Sequence, residues 1–481
     1  MTNWAEEEFQ TLSLGDARLE RRAVILTEQL AQKPGLSIPQ ACGDWGQTQA
    51  AYRFLANEDT SGQSVLQAHA DASMKRMSAH QVVLCLQDTS ELDFEGKQAE
   101  GLGPLNYEAQ RGMLVHPTYA VTPQREPLGL INSWNWAREF RPQGGGSRPG
   151  IDESLRWVES YAHLVGLAPQ LPQTRLVCVG DRESDMLALF ERGQREGWAV
   201  DLLVRARHDR VLPDKQAGKL WDRVMASEVL GRIRFDMPSG RGRKARPVVQ
   251  ELRAQRVVLQ TGQPEQPTLE MSCVIAHEIN APAGTRPVVW KLLSNRPVHT
   301  LEQAIEMVEW YRARWEIELF FLVLKEGCRV ERLQLMHIER LQTALAMYML
   351  IAWRINRLMR LGRQLPDLPA ELFFEDVEWQ AAFILNRKKP PAKPPSLNTV
   401  VRLIAQLGGF LARKHDGEPG VKTIWLGLRE INTFVRGLPY LVGPAKFNPT
   451  RFRPKSKAQS TLISWAFIGA NRWNTRPMGA L

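Results

Sequence analysis

The sequence has few cysteines and no long apolar segment. Its five cysteines are scattered over 481 residues and none belongs to a C-x-x-C pair, so neither a zinc site nor a disulfide framework is expected. The longest apolar run, residues 344–353, is too short to cross a bilayer, which requires about 20 residues. The N-terminal segment MTNWAEEEF is acidic and has no apolar stretch, so we expect no secretion signal. These absences favour a cytoplasmic protein with no membrane partner.

The composition is that of a soluble globular protein with an excess of positive charge. Apolar residues make up 43% and charged residues 24% of the chain, and the net charge is +10. At about 100–200 residues per domain, the length predicts two to four domains. The basic balance favours an anionic partner, of which nucleic acid is the commonest large one. A basic soluble protein without such a partner is the alternative.

The first 75 residues have a helical apolar period. Residues 14–32 and 43–57 each predict a helix, and the first carries a basic group of Arg18, Arg21 and Arg22 near its start. Basic and aromatic residues on short helices suit a DNA-binding module. A plain helical cap is the alternative.

The middle of the chain alternates between strands and helices, which predicts one mixed α/β layer. Two of the buried strands stop at an acid, at Asp88 and at Asp181. A region near 210–282 has the alternation and turns of a small β-rich insertion, and its tip at 240–247 is either a phosphate-contacting loop or a solvated hairpin end. One long helix is predicted over about 300–327, followed by further helices. The remaining predicted strands are 113–121, 127–136, 201–207 and 288–293.

The long helix carries a narrow polar stripe. At about 100° per residue, Tyr311, Arg314, Glu318 and Lys325 fall within roughly 60° of arc, opposite the apolar residues of the same segment. Such a helix packs one side on a core and lines a cleft with the other. An ordinary surface stripe, with Arg314 and Glu318 as an i,i+4 pair, is the alternative.

Three acids, taken together, predict a site for divalent cations. Sites in α/β sheets gather at the carboxyl ends of strands, where Asp88 and Asp181 lie. Glu318, from a helix packed across the sheet, could join them and hold hard divalent cations such as Mg²⁺. Two such ions about 4 Å apart stabilise the attacking and leaving oxygens of a phosphoryl displacement. Taken singly, a strand-terminal Asp is more often a turn or cap residue.

The Y-x2-R-x3-E-x6-K spacing of Tyr311, Arg314, Glu318 and Lys325 resembles that of the DDE transposases of bacterial insertion sequences, in the insertion sequence four group. Further stretches match the same family in order along residues 3–430: LGDAR, AAYRF, QDTSEL, RGMLVH, GDRESD, VRARH, EINAP, WKLL and LGGF. The spacing around Glu318 is specific, whereas the other stretches are individually weak and gain force from their order.

The resemblance implies an α/β fold: a ribonuclease-H-like mixed-sheet core with a β-rich insertion, flanked by helical N- and C-terminal domains. We assign residues 1–75 to DNA-end binding and 76–365 to the catalytic core, with the insertion at about 210–285. Residues 366–437 would form a helical dimerisation domain. The tail 438–481 matches nothing and is unassigned.

The implied activity is cut-and-paste transposition. Asp88, Asp181 and Glu318 would be the catalytic residues and would hold two Mg²⁺ ions, for which Mn²⁺ can substitute. One DNA strand is cut, the freed 3′-hydroxyl forms a hairpin, and the ends are joined to target DNA. The partners would be double-stranded DNA, as inverted-repeat ends and as target, and a second copy of the chain in a synaptic dimer. The protein would act in the bacterial cytoplasm, at the nucleoid.

The resemblance also suggests residues that contact DNA. Arg314 and Lys325 would bind phosphates, Arg314 as a planar fork and Lys325 as a point charge, and Tyr311 would hydrogen-bond the DNA backbone. Trp290 matches a position where the family stacks a flipped base, and a strand residue of the core is the alternative. The other candidates are basic: Arg205 and Arg207 near the site, and Arg18, Arg21, Arg22 and Arg53 for end binding.

Two other functions remain open from the sequence. One is a structure-specific nuclease on the same core, which would cut DNA without joining it to a target. The other is a catalytically silent DNA-binding or transposition-inhibitor protein, which the intact acids oppose.

Overall fold

A computed structural model of the chain describes residues 4–94, 99–141, 150, 152–213, 218–237, 245–262 and 268–442. The predicted tip residues 240–244 and the tail from residue 443 onward lie outside these ranges. The helices are α1 Trp4–Glu8, α2 Ala17–Gln32, α3 Ile38–Cys42, α4 Trp45–Leu55, α5 Gly62–Met77, α6 Leu155–Leu167, α7 Leu187–Arg195, α8 Leu220–Met225, α9 Leu301–Ala313, α10 Trp315–Leu322, α11 Ile338–Gln364, α12 Asp376–Leu385, α13 Leu397–Leu407 and α14 Val421–Val442.

Eleven strands form one mixed sheet within the described ranges. They are β1 Val82–Gln87, β2 Ser90–Asp93, β3 Gly103–Pro104, β4 Arg111–Val121, β5 Pro127–Trp136, β6 Arg175–Gly180, β7 Asp201–Arg205, β8 Gly231–Met237, β9 Arg246–Gln260, β10 Thr268–Glu278 and β11 Val289–Ser294. The first part of the sheet runs β5-β4-β1-β6-β7, with β1, β6 and β7 parallel and β4 antiparallel to β1. This order fits the ribonuclease-H-like core that the resemblance implies.

The β-rich insertion extends the same sheet. β11 pairs antiparallel with β7, and β10, β9 and β8 follow as antiparallel neighbours, so β8 forms one edge. The insertion is therefore continuous with the core, and the mixed α/β fold with helical flanks is confirmed.

Alternation along the strands divides the core into two apolar layers. On β1, Leu84 and Leu86 face one layer, while Val83 and Cys85 face the other. The first layer contains α2, α4, α10 and α11, and the second contains α6 and α7. Because successive strand residues point to opposite faces, a residue's parity decides which set of helices it meets.

The prediction of one long helix over 300–327 is wrong in one respect, because the segment is divided. α9 ends at Ala313, Arg314 forms a junction, α10 follows, and Val323–Gly327 is a π-helical turn. A π turn inside a helix is frequent at functional sites. α11 is buried around most of its circumference. Among the residues that the structure describes, no helix has the length and apolar character of a membrane span.

Candidate active site

Asp88 and Asp181 follow the ends of two neighbouring parallel strands. β1 and β6 pair with Leu86 opposite Val179. Continuing that register by two residues sets Asp88 opposite Asp181, and adjacent strands lie about 4.8 Å apart. Both residues are half-buried. The sheet therefore brings together two acids that are far apart in the sequence.

Strand parity places both acids on the layer that contains α10. Asp88 continues the alternation of Leu84 and Leu86, and Asp181 that of Val177 and Val179; all four apolar residues belong to the α10 layer. On α10 itself, the predicted inward residues Ile317 and Phe320 are fully buried, as are Ala313, Val323 and Leu324 on the same segment. Glu318 lies on the other side of the helix with its side chain 35% exposed.

Arg314 joins two of the three acids directly. Its Nη1 donates to Asp88 Oδ2 at 2.7 Å and its Nη2 donates to Glu318 Oε1 at 2.5 Å. Burial raises the pKa of Asp88 to about 6; the charge of Arg314 opposes this rise, while the charges of Asp181 and Glu318 add to it. The charges of Asp181 and Glu318 therefore both act on Asp88, and the Arg314 guanidinium partly balances them.

The donor set fits a divalent cation in its chemistry. Three carboxylates offer the oxygen ligands that Mg²⁺ prefers, and their mutual repulsion favours a positive ion among them. Within the described ranges, no group of three His, Cys, Asp or Glu side chains has the spacing to hold a metal as it stands. In this structure Arg314, rather than a shared ligand cage, links Asp88 to Glu318.

Tyr311 and Arg205 lie next to this group. Tyr311, predicted to line the cleft, is only 6% exposed, and its ring centroid is 5.9 Å from the Arg314 guanidinium carbon. Burial raises the pKa of Tyr311, and the positive charges of Arg314 and Arg205 oppose that rise. Arg205 ends β7 and is half-buried. The structure thus brings Arg205 to the site, while Tyr311 packs beneath Arg314.

Lys325 lies on the π turn and faces a different part of the same edge. Its Nζ donates to the Glu91 carbonyl oxygen at 2.5 Å and is 3.6 Å from Glu331 Oε1. Glu331 also accepts a hydrogen bond from the backbone N–H of Asp93 at 3.0 Å. Lys325 therefore contacts the β2 strand next to Asp88, which sequence arithmetic alone does not reveal.

Trp290 has an aromatic partner from the insertion. Its ring stacks on Phe235 of β8 with centroids 5.6 Å apart and planes 13° from parallel, and Arg312 lies 4.8 Å over the Phe235 ring. Trp290 is half-buried. One ring face is therefore already covered within the insertion, a contact that the sequence does not show.

Asp185 organises the loop that carries Arg207. The Asp185 side chain is fully buried and accepts hydrogen bonds from the backbone N–H groups of Arg207 and His208, at 2.5 and 2.8 Å, and pairs with Arg210 at 2.6 Å. Arg207 itself is exposed. Sequence reasoning missed Asp185, although its place four residues after Asp181 was a usable signal.

The N-terminal arginines occupy different environments. Arg18 pairs with Asp16 at 2.9 Å with its side chain 89% exposed, and Arg21 and Arg53 are exposed. Arg22 is half-buried, and its Nη2 donates to the Gln47 carbonyl at 2.7 Å, which ties α2 to α4. Two aromatic residues of α4 are exposed as well: Trp45 at 74% and Tyr52 at 38%.

Three transposase families match the chain. "Transposase DNA-binding" matches residues 1–60, "Transposase DDE domain" matches 184–354, and "Transposase Tn5 dimerisation domain" matches 350–445. The DDE match includes Glu318 but begins after Asp181. A solved structure that aligns is the cryo-EM synaptic complex of piggyBac transposase with hairpin DNA, at 10% identity and a TM-score of 0.29. The alignment covers 79% of this chain and 59% of that one.

The three matches, in this order along one chain, define the class: the chain has the domain set of a DDE transposase. Enzymes of this class depend on divalent metal ions. Because its C-terminal match is the Tn5 dimerisation domain, the chain resembles the Tn5-type transposases. The family expected from the Tyr311, Arg314, Glu318, Lys325 spacing is thereby confirmed.

Proposed function

We propose that this chain is a cut-and-paste DNA transposase, which cleaves DNA at transposon ends, forms hairpins and transfers the ends into target DNA. The observation that carries the proposal is the approach of three acids: Asp88 and Asp181 directly follow the ends of the paired strands β1 and β6, and Glu318 is joined to Asp88 through Arg314. In this proposal the acids are catalytic and would hold two Mg²⁺ ions, or Mn²⁺ in their place. When bound, such ions activate a water nucleophile and stabilise the attacking and leaving oxygens.

The surrounding residues would bind and orient DNA. Arg314 presents two donors in one plane, which suits a phosphate as well as it suits two carboxylates. Lys325 would add a point charge at the Asp88 edge, and Arg205 and Arg207 would hold phosphates farther along the sheet. Trp290 would stack an unpaired base on its ring, which offsets part of the cost of unstacking.

The partners follow from the same assignment. Residues 1–75 would bind inverted-repeat ends, using Arg18, Arg21, Arg22 and Arg53. The residues 76–365 would carry the chemistry, and 366–437 would form a homodimer around two ends. The protein would act in the bacterial cytoplasm, at the nucleoid, where its DNA substrates lie.

One assay tests the proposal. Duplexes carrying candidate inverted repeats from the DNA that flanks the coding sequence are incubated with the protein and Mg²⁺, and the products are separated by size. We expect nicks, hairpins and joined target for the wild type, and none for Glu318→Ala, which should still bind the ends. Cutting without joining would favour a structure-specific nuclease. Binding without metal-dependent cutting by the wild type would favour a silent DNA-binding or inhibitor protein and end the proposal.

A further inference from the structure

Arg156 reaches the loops of both strand-terminal aspartates. It lies at the start of α6, on the sheet face opposite α10, with its side chain 9% exposed. Its Nε donates to Thr89 Oγ1 at 2.9 Å, and its Nη2 donates to Glu183 Oε2 at 2.5 Å. Thr89 directly follows Asp88, and Glu183 lies two residues after Asp181. One guanidinium thus spans the two loops.

The same two residues orient the carboxylates through their backbones. The N–H of Thr89 donates to Asp88 Oδ1 at 2.8 Å, and the N–H of Glu183 donates to Asp181 Oδ1 at 2.8 Å. Arg156 therefore binds the side chains of Thr89 and Glu183. The backbone N–H groups of these two residues in turn bind the carboxylates of the two aspartates. A shift of Arg156 would move both carboxylates relative to each other.

The surroundings of Arg156 leave it little freedom. Its guanidinium carbon lies 5.5 Å from the Trp157 ring centroid and 5.7 Å from that of Trp136. Its Nη1 also donates to the Glu153 carbonyl, and Thr89 Oγ1 lies 3.0 Å from His116 Nδ1. A lysine has a single nitrogen on a flexible stem and cannot reproduce three donors in a rigid fork.

We propose that Arg156 is a positioning residue of the active site, which fixes the separation of Asp88 and Asp181 by holding Thr89 and Glu183. The inference rests on the proposed function, because it treats the two aspartates as metal ligands. Outer partners that orient metal ligands typically contribute about 10- to 100-fold to metal affinity or activity. Arg156 acts at one remove from the acids and touches neither of them.

The test compares Arg156→Lys with the wild type in the full-length protein. Binding of Mn²⁺ is followed by the loss of the free-ion electron paramagnetic resonance signal, and cleavage of end duplexes is measured against Mn²⁺ concentration. We expect the Mn²⁺ midpoint of both to rise about 10-fold or more in Arg156→Lys. Arg76→Lys is the matched control, because Arg76 is half-buried, bridges Glu8 and the Leu128 carbonyl, and lies 4.4 Å over Trp353. The Arg76→Lys variant should be less stable than the wild type, and its Mn²⁺ midpoint should be unchanged.

A second pair of variants keeps the test valid if Arg156→Lys fails to fold. Thr89→Val keeps the shape of the side chain and loses the hydroxyl that accepts from Arg156, whereas Thr89→Ser keeps it. Thr89→Val should raise the Mn²⁺ midpoint and Thr89→Ser should restore it. Wild-type midpoints in both Arg156→Lys and Thr89→Val would overturn this inference alone. A wild-type protein that binds no Mn²⁺ and cuts no DNA would overturn the proposed function as well.

Discussion

Two glutamates on α10 lie two residues apart, and replacing each by glutamine should affect different properties of the protein. Glu316 is 2% exposed and accepts hydrogen bonds from Nε and Nη2 of Arg360 on α11, with Nε 2.8 Å from Oε2. Glu318 is partly exposed and pairs with Arg314 at the candidate site. We predict that Glu316→Gln destabilises the protein and that Glu318→Gln leaves stability nearly unchanged while abolishing cleavage.

The magnitude follows from burial. Breaking a buried ion pair by removing one partner costs about 3–5 kcal/mol, because the remaining charge stays in a poorly solvated place. Arg360 has a side chain only 14% exposed, so its charge would lose a bidentate carboxylate without gaining much water. An exposed pair contributes about 0–1 kcal/mol, and Glu318 lies nearer to that limit because solvent reaches a third of its side chain.

Urea unfolding followed by tryptophan fluorescence measures both variants, and the double variant Glu316→Met with Arg360→Met is the control. Replacing both charges with apolar side chains of similar volume should be neutral or stabilising. Equal midpoints for the wild type and Glu316→Gln would refute the reasoning. So would a loss in Glu318→Gln as large as that in Glu316→Gln.

Two further predictions concern contacts of α5. Burial opposes ionisation of Glu8, but the charge of Arg76 and neighbouring hydrogen bonds lower its pKa to about 2, below the ordinary 4.5. Its ionised form therefore stabilises the fold fully above about pH 4.5, a contribution that is lost as the pH falls toward 2, and Glu8→Gln should flatten that part of a urea stability profile. Gly129→Ala would set a methyl carbon 1.8 Å from Ser73 Oγ at a φ of +149°, and should cost about 1–3 kcal/mol. Gly166→Ala, with open space around it, should not lower the melting temperature, and an equal loss in both would contradict the packing argument.

Much of the site geometry could be predicted from the sequence. Buried strands that stop at acids gave Asp88 and Asp181, and helical arithmetic put Arg314 and Glu318 on one side. Strand parity adds a further step, because Asp88 and Asp181 each lie two residues beyond an apolar residue of the same face. The period of two therefore predicts that both acids meet one layer of helices, given only that the strands are neighbours.

The remainder depends on contacts that no local pattern encodes. Arg314 reaches Asp88 across 226 residues and Lys325 reaches the Glu91 carbonyl across 234. Arg156 looks in the sequence like one more polar residue of an amphipathic helix, and its partners appear only when α6 packs beside the loops after β1 and β6. The break of the long helix at Arg314 also depends on tertiary contacts, because no proline or glycine marks it in the sequence.

Charge in the middle of so apolar a helix has two separate explanations. Residues two apart on a helix point about 200° apart, so Glu316 and Glu318 cannot share an environment. Glu316 points into the helical layer and needs Arg360, whereas Glu318 points toward the strand ends and meets Arg314. Each acid is thus matched by an arginine on its own side. Because the inner pair serves packing, it should keep α10 in place when the outer pair is rearranged by substrate, which leaves Glu318 free to change partners without unfolding the helix that carries it.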